Sequence, residues 1–174
     1  MTRFVSRTVR LVGLAVALWA TSGCGGSHGG SSSTGPSAAG RYVGTAKTVL
    51  KGPGASMPVN GGVQFDVAAD NKVTVSDPGQ APYGSGTLNG NSFTVVAPGS
   101  SLNSPGVSCG GSVTFSGTIS GPNMSGDISS SGLVCNGAPI SLTGTFTATL
   151  QAELPKGSTG GGFGQRLHDA LRTP

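Results

Sequence analysis

The feature that most constrains the fold is a two-residue alternation of apolar and polar side chains in short segments. The segment GGVQFDVA places Val63, Phe65 and Val67 on one side, and GSVTFSGTI does the same with Phe115 and Ile119. Gly, Pro, Asn and Ser separate these segments, and no helical period interrupts them. Such alternation is typical of strands with one buried face. We therefore predict an all-β domain over residues 40–154.

An internal repeat predicts how neighbouring strands pair. SGTLNGNSF at 85–93 aligns with SGTISGPNM at 116–124, which places Leu88 opposite Phe93 and Ile119 opposite Met124. Both turns contain Gly and Asn, the residues that tight hairpins require. The fold class that follows is an antiparallel eight-stranded up-and-down meander barrel. Its strands are expected near 41–50, 62–68, 72–77, 85–88, 93–97, 112–119, 124–129 and 139–151.

Loop lengths distinguish the two ends of this barrel. The segments 51–61, 78–84, 98–111 and 130–138 alternate along the meander and lie at one end, which we name the long-loop end. The connections 69–71, 89–92 and 120–123 lie at the opposite end, which we name the tight-turn end. Binding residues concentrate on elaborated loops, so the long-loop end is the expected working face.

The first 23 residues predict a secretory leader. Arg3, Arg7 and Arg10 precede an apolar run from Leu11 to Ala20, followed by small residues and Cys24. The stretch ATSGC at 20–24 resembles the lipobox of bacterial lipoproteins. This resemblance implies cleavage before Cys24, acylation of that cysteine and, since residue 25 is not Asp, an outer-membrane location. The Gly/Ser-rich residues 24–39 would then form a disordered tether.

Charge does not favour a nucleic-acid partner. The full chain carries a formal charge of +4, and the leader holds three of its ten basic residues. The mature chain would keep seven basic residues against six acidic ones, without the basic face that nucleic acids require. The membrane, reached through the lipid anchor, is the expected partner.

Cysteine usage predicts one disulfide. With Cys24 assigned to lipid, Cys109 and Cys135 remain as a pair in an exported compartment, where disulfides persist. Extending the second hairpin pairs Phe115 with Ile128 and brings the two cysteines within one residue of register. The bridge would tie two loops of the long-loop end. No cofactor is expected, because two cysteines and the distant His28 and His168 do not make a zinc site.

The barrel resembles the calycin group of lipocalins and avidins. Gly40-Arg41-Tyr42 opens the first strand as Gly-x-Trp opens it in lipocalins, and the Ser-Gly-Thr hairpins end in GTFTATL. The resemblance implies a ligand cavity that opens at the long-loop end. The alternative is that the same side chains fill the interior, because eight strands leave little space. The expected cavity-lining residues are Tyr42, Val63, Phe65, Phe93, Phe115, Met124 and Phe146.

The residue inventory predicts no enzyme. GGSHG at 25–29 matches a nucleophile elbow, but Ser27 lacks the strand-to-helix turn that such an elbow needs. No histidine lies in the barrel segment, which excludes a triad there. The carboxylates are expected at solvated strand or turn positions, and they are Asp66, Asp70, Asp77, Asp127, Glu153 and Asp169.

The leading hypothesis is a lipid-anchored envelope protein whose non-catalytic barrel binds a small apolar ligand or a partner at its long-loop end. One alternative is an interaction module with a filled core and no small ligand. Another is a small transmembrane barrel, which most strands are too short to form. Residues 155–174 are expected to be a flexible tail. Phe163, Leu167 and Leu171 have the spacing of a short amphipathic helix, which we expect to fray.

Overall fold

The structure, a computed structural model, describes residues 38–151 and 161–172. These residues belong to one compact unit that spans Thr34–Pro174. The predicted leader, the predicted acylation site Cys24 and most of the predicted tether lie outside the described residues. In the part of the chain that is described, no helix is long and apolar enough to cross a membrane.

Nine strands, one 3-10 helix and one α-helix make up the described chain. The 3-10 helix is Gly99–Leu102, and the α-helix α1 is Phe163–Arg172. The strands are β1 Gly40–Gly52, β2 Ala55–Val67, β3 Lys72–Ser76, β4 Gly84–Asn89, β5 Ser92–Pro98, β6 Cys109–Ser120, β7 Asn123–Cys135, β8 Ala138–Pro139 and β9 Ser141–Gln151.

Eight of these strands close into an antiparallel barrel, which confirms the predicted fold class. Each strand from β1 to β7 pairs with the next one along the chain. Strand β9 then pairs with β7 on one side and with β1 on the other, so that the sheet has no open ends. The two-residue β8 pairs only with the end of β7 and is not one of the eight barrel strands.

The predicted hairpin registers are confirmed. Leu88 pairs with Phe93 and Ile119 with Met124, as the internal repeat indicated. Phe115 pairs with Ile128, and the register shifts by one residue between Gly110 and Ser112. That bulge brings Cys109 directly opposite Cys135, because it absorbs the one-residue offset expected from the sequence.

Two of the four segments that were expected to be long loops belong mainly to β-strands. Residues 51–61 continue β1 and β2 around a two-residue turn at Pro53 and Gly54, and 130–138 continue β7 to a turn at Asn136 and Gly137. Pro58 is tolerated because β3 pairs with β2 only over residues 64–67, which leaves Pro58 paired through β1. The prediction of loops at 51–61 and 130–138 is therefore wrong. Both segments remain at the long-loop end.

The barrel is apolar inside and polar outside. Its interior contains Tyr42, Phe65, Phe115, Phe146 and other buried apolar side chains. The outer face of β9 consists of five exposed hydroxyl residues, which are Ser141, Thr143, Thr145, Thr147 and Thr149. This arrangement is the reverse of a transmembrane barrel, whose lipid-facing side is apolar.

Helix α1 forms at the predicted place, and it packs against the barrel. Phe163 and Leu167 are each 1% exposed and join the core of the barrel. Leu171, the third member of the predicted apolar face, is partly buried against that core. Residues 161–172 therefore belong to the folded domain, because the barrel supplies the tertiary contacts that a ten-residue helix needs.

Candidate functional site

Helix α1 lies at the long-loop end, against the part of β2 that has no pairing with β3. Gly162, just before the helix, forms a parallel bridge with Gly62 of β2. Gly61 permits this close approach, because a Cβ there would lie 2.5 Å from the Cα of Phe163. At the other end of the helix, the Arg172 guanidinium donates to the Pro105 carbonyl at 3.0 Å. The helix is thus attached to the barrel along its whole length.

The Phe163 ring extends the aromatic cluster of the barrel interior. Its centroid lies 6.1 Å from that of Phe115, in an edge-to-face arrangement. Phe115 in turn lies 5.9 Å from Phe65 and 6.2 Å from Phe146. Phe65 and Phe146 are 4.8 Å apart, and Phe93 lies 5.6 Å from Phe65. In the described part of the chain, five phenylalanine rings therefore occupy the interior, and helix α1 contributes the one nearest the long-loop end.

Asp77 holds the start of α1. The residue before the helix, Gly162, has no side chain with which to cap it. Instead, Oδ1 of Asp77 accepts the N–H of Gly164 at 2.7 Å and Oδ2 accepts that of Gln165 at 2.9 Å. The carboxylate thus accepts hydrogen bonds from two N–H groups of the first turn that have no partner within the helix. Its negative charge also interacts favourably with the positive end of the helix dipole. Asp77 is 9% exposed, so the expectation that it is solvated is wrong.

Tyr83 packs beside this cap with its hydroxyl unsatisfied. Within the described residues, the buried hydroxyl of Tyr83 has no hydrogen-bond partner. Burial, and after it the Asp77 carboxylate, raise the pKa of Tyr83 far above the ordinary value of 10.0. The side chain is therefore neutral at every physiological pH, and it contributes to the site as an apolar wall.

A polar cleft of about 510 Å³ opens between α1, the 77–83 connection and the 3-10 helix. It brings Asp77, Ser101 and His168 to one place, which the sequence did not predict, because His168 lies in the tail. The Asp77 carboxylate is occupied by α1, and the Ser101 hydroxyl donates to the Pro98 carbonyl at 2.7 Å.

A second, apolar cavity of about 340 Å³ lies on the other side of α1. We name it the rim cup. It is formed by the β1–β2 hairpin, the β7–β8 turn and the last turn of α1. Its lining residues are Leu50, Gly52, Pro53, Ala55, Met57, Cys135, Asn136, Ala138, Ile140, Ala170 and Leu171.

The disulfide stabilises the wall next to the rim cup. Cys109 and Cys135 are bonded, with their Cα atoms 4.1 Å apart across β6 and β7. This confirms the predicted pairing, although the bridge joins two strand ends and not two loops. The Asn136 side chain accepts the N–H of Ser108 at 2.9 Å and donates to the Gly106 carbonyl at 2.9 Å. The turn and the neighbouring 103–108 segment are therefore held together.

The seven residues expected to line a cavity all point into the barrel interior. Each is at most 3% exposed, and the aromatic ones among them form the packed cluster described above or lie beside it. Tyr42 lies at the tight-turn end, where its hydroxyl donates to the Ala38 carbonyl at 3.0 Å. Neither the capping role of Asp77 nor the places of Tyr83 and the rim cup were predicted from the sequence. The apolar spacing of the tail was the one signal that could have found them.

Other candidate carboxylates make ordinary surface contacts. Asp66 forms an ion pair with Arg41 at 2.6 Å, and its carboxylate accepts a hydrogen bond from the side-chain amide of Gln64 at 2.8 Å. Asp70 accepts the N–H of Lys72 within the turn after β2. Among residues 38–151 and 161–172, no group of three His, Cys, Asp or Glu side chains is placed to hold a metal ion.

Comparison with known proteins identifies no family. The chain matches no family model and no curated protein sequence. Among solved structures, it is similar to a mutant of the vaccine antigen transferrin binding protein B from Haemophilus parasuis, with 16% identity and a TM-score of 0.47. The similarity covers 65% of this chain and 26% of the other, so this chain spans about a quarter of that protein's length.

Proposed function

We propose that this chain is a lipid-anchored protein of the bacterial cell envelope, most specifically of the outer membrane, and that its barrel is a non-catalytic binding module. In this proposal the module contacts an envelope partner through its long-loop end. The single observation that carries it is the packing of Phe163 from α1 on Phe115 inside the barrel. A protein whose own helix fills the mouth of its barrel offers its rim for binding, and not its interior.

The direction of the chain supports this orientation. Gly40 begins β1 opposite Val67, beside the turn that joins β2 to β3, so the chain enters at the tight-turn end. A tether from Cys24 would therefore approach that end. The long-loop end, with α1, the polar cleft and the rim cup, would face away from the membrane.

The filled interior favours an interaction module over a carrier with an interior cavity. Ring centroids 4.8 to 6.2 Å apart are typical of packed aromatic pairs. The polar outer face argues against the transmembrane barrel. The engaged hydrogen bonds of Asp77 and Ser101 support a role without catalysis.

The anchor is tested by the Cys24→Ala variant. We expect this substitution to release the protein from the membrane fraction into the soluble fraction of the envelope, because multiple acyl chains supply its stable attachment. The Cys24→Ser variant should behave in the same way. Continued tight membrane association of both variants would contradict the proposal.

The binding end is tested by photo-crosslinking in intact cells. A photoreactive side chain at Gln80, exposed at the long-loop end, should form a crosslink of defined mass to one partner. The matched position is Asn91, exposed at the tight-turn end, and it should give no such product. Crosslinking from Asn91 in place of Gln80 would overturn the proposed orientation. Crosslinking from neither position would contradict the proposal that the barrel binds an envelope partner.

A further inference from the structure

We infer that the rim cup binds one small, uncharged apolar molecule. This inference rests on the proposed function, because it names a ligand class for the end of the barrel at which that function is placed. It locates the ligand outside the interior, among residues that were not predicted to line a cavity. Their common feature is that they come from three separate segments, brought together by the docking of α1.

The chemistry of the lining selects an apolar ligand. Among the described residues, no charged side chain lines the rim cup, and Asn136 is its one polar side chain. That amide already accepts the N–H of Ser108 and donates to the carbonyl of Gly106. A charged molecule would lose its hydration here without gaining an oppositely charged partner among these side chains. Leu50, Met57 and Leu171 instead offer it hydrocarbon surface.

The size of the cavity selects a small molecule over a protein segment. About 340 Å³ is near the lower limit for pockets that hold small ligands. One turn of a helix with its side chains is about 10 Å wide and would not enter it. A stable protein interface buries about 800 Å² on each partner, far more than such a cup can offer. Leu50 lies at the bottom of the cavity and is only 5% exposed, whereas Ala55 and Asn136 at its edge are exposed.

Helix α1 makes the rim cup dependent on the Asp77 cap. Ala170 and Leu171, in the last turn of the helix, form one wall, while Asp77 holds the first turn. A ligand that binds only when the helix is docked stabilises the docked state. Ligand binding should therefore slow hydrogen exchange of the α1 amides.

The two methionines of the barrel allow a direct test. Met57 lines the rim cup, whereas Met124 is buried in the interior beside the tight-turn end. The full chain with Cys24→Ser, labelled with 13C at its methionine methyl groups, would be titrated with toluene and followed by NMR. We expect a saturable shift of the Met57 resonance, with the Met124 resonance unchanged. Benzoate, which adds a charge to the same ring, should cause no such shift.

Substitutions that fill the cavity provide the matched controls. Ala138→Phe places a ring in the rim cup and should abolish the Met57 shift. Ala170→Leu is a second filling variant in case the first does not fold. Ala81→Phe makes the same exchange as the first at an exposed position outside the cavity, and it should leave toluene binding unchanged.

Each outcome separates this inference from the proposed function. Unchanged Met57 and Met124 resonances would overturn the rim cup as a ligand site but leave the crosslinking result standing. A shift of Met124 would place the ligand in the interior and overturn both. An equal response to benzoate would contradict the apolar ligand class. A shift of Met57 that persists in both filling variants would overturn the assignment to this cavity.

Discussion

The two ends of this barrel are closed in different ways. At the tight-turn end, the connections 68–71, 90–91 and 121–122 are short and local in sequence. At the long-loop end, closure depends on distant contacts: Asp77 binds N–H groups 87 and 88 residues away, and Arg172 reaches the Pro105 carbonyl across 67 residues. Short turns join the strands at the tight-turn end, whereas the long-loop end combines two short turns with the docking of α1 through contacts distant in sequence. The cavities beside α1 lie at the long-loop end.

Two tyrosines, one buried and one partly buried, differ in the same way. Tyr42, at the tight-turn end, donates its hydroxyl to the Ala38 carbonyl four residues away. Tyr83, at the long-loop end, has no such partner among the described residues. Within the described residues, the tyrosine hydroxyl thus makes a local hydrogen bond at one end and none at the other.

The largest expected effect is at Phe163. We predict that Phe163→Ala lowers the free energy of unfolding by about 3 kcal/mol or more, because it removes a fully buried ring. Phe93→Ala, beside a tight turn, should cost a similar amount in urea denaturation. Hydrogen exchange should distinguish the two variants, since only Phe163→Ala is expected to expose the α1 amides. Equal protection of α1 in both variants would contradict the contrast between the ends.

Removing the disulfide should affect one end selectively. We predict that the double substitution of Cys109 and Cys135 by Ala lowers the free energy of unfolding by about 2–4 kcal/mol, through the greater freedom of the unfolded chain and looser strand ends. Hydrogen exchange should rise in residues 103–108 and 136–140 and stay unchanged in 68–71. A uniform rise at both ends would show that the bridge does not act locally.

The Asp77 cap should contribute less, and only to α1. Asp77→Ala is predicted to cost about 1–2 kcal/mol, because two N–H groups of the first turn lose their acceptor and the helix loses a favourable charge. Asp70→Ala is the matched change at the tight-turn end, where an exposed carboxylate accepts one N–H. It should alter the free energy of unfolding by less than about 0.5 kcal/mol. Comparable losses in thermal denaturation of the two variants would argue against the role assigned to Asp77.

The tyrosine pair should give the smallest effects, of opposite sign. Tyr42→Phe loses a hydrogen bond and should destabilise the fold by about 1 kcal/mol. Tyr83→Phe removes an unsatisfied hydroxyl and should be neutral or slightly stabilising at pH 7.

The same pair predicts a pH dependence. The raised pKa of Tyr83 means that the unfolded chain loses this proton near pH 10 while the folded chain keeps it. The free energy of unfolding should therefore fall as the pH rises above about 10, and less steeply in Tyr83→Phe. Identical alkaline profiles for wild type and Tyr83→Phe would contradict the burial of this hydroxyl.

Local patterns predicted the barrel because its strands follow a strict two-residue period. The repeat around Leu88 and Ile119 predicted two hairpins in their correct register, which supported the Cys109–Cys135 pair that the cysteine count predicted. The extent of the strands was harder to predict. Asn136 and Gly137 both have positive φ, as a tight hairpin turn requires, but the whole segment 130–138 was expected to be a loop.

The long-loop end could not be predicted in the same way, because its contacts are distant in sequence. Asp77 precedes a proline and resembles any turn aspartate until α1 supplies two N–H groups to it. Phe163 has the spacing of a helix face, but nothing nearby in the sequence indicates that Phe115 is its neighbour. Only tertiary structure brings such pairs together, and the rim cup depends on the same docking.

The most direct test of this account is a solution NMR measurement of the contact between the rings of Phe163 and Phe115 in the full chain. With centroids 6.1 Å apart, their ring protons should give clear nuclear Overhauser cross-peaks, and residues 163–172 should have helical chemical shifts. Random-coil shifts for these residues, without any cross-peak to Phe115, would contradict the account. The barrel would then be open at its long-loop end, and the interior would again be the place to look for a ligand.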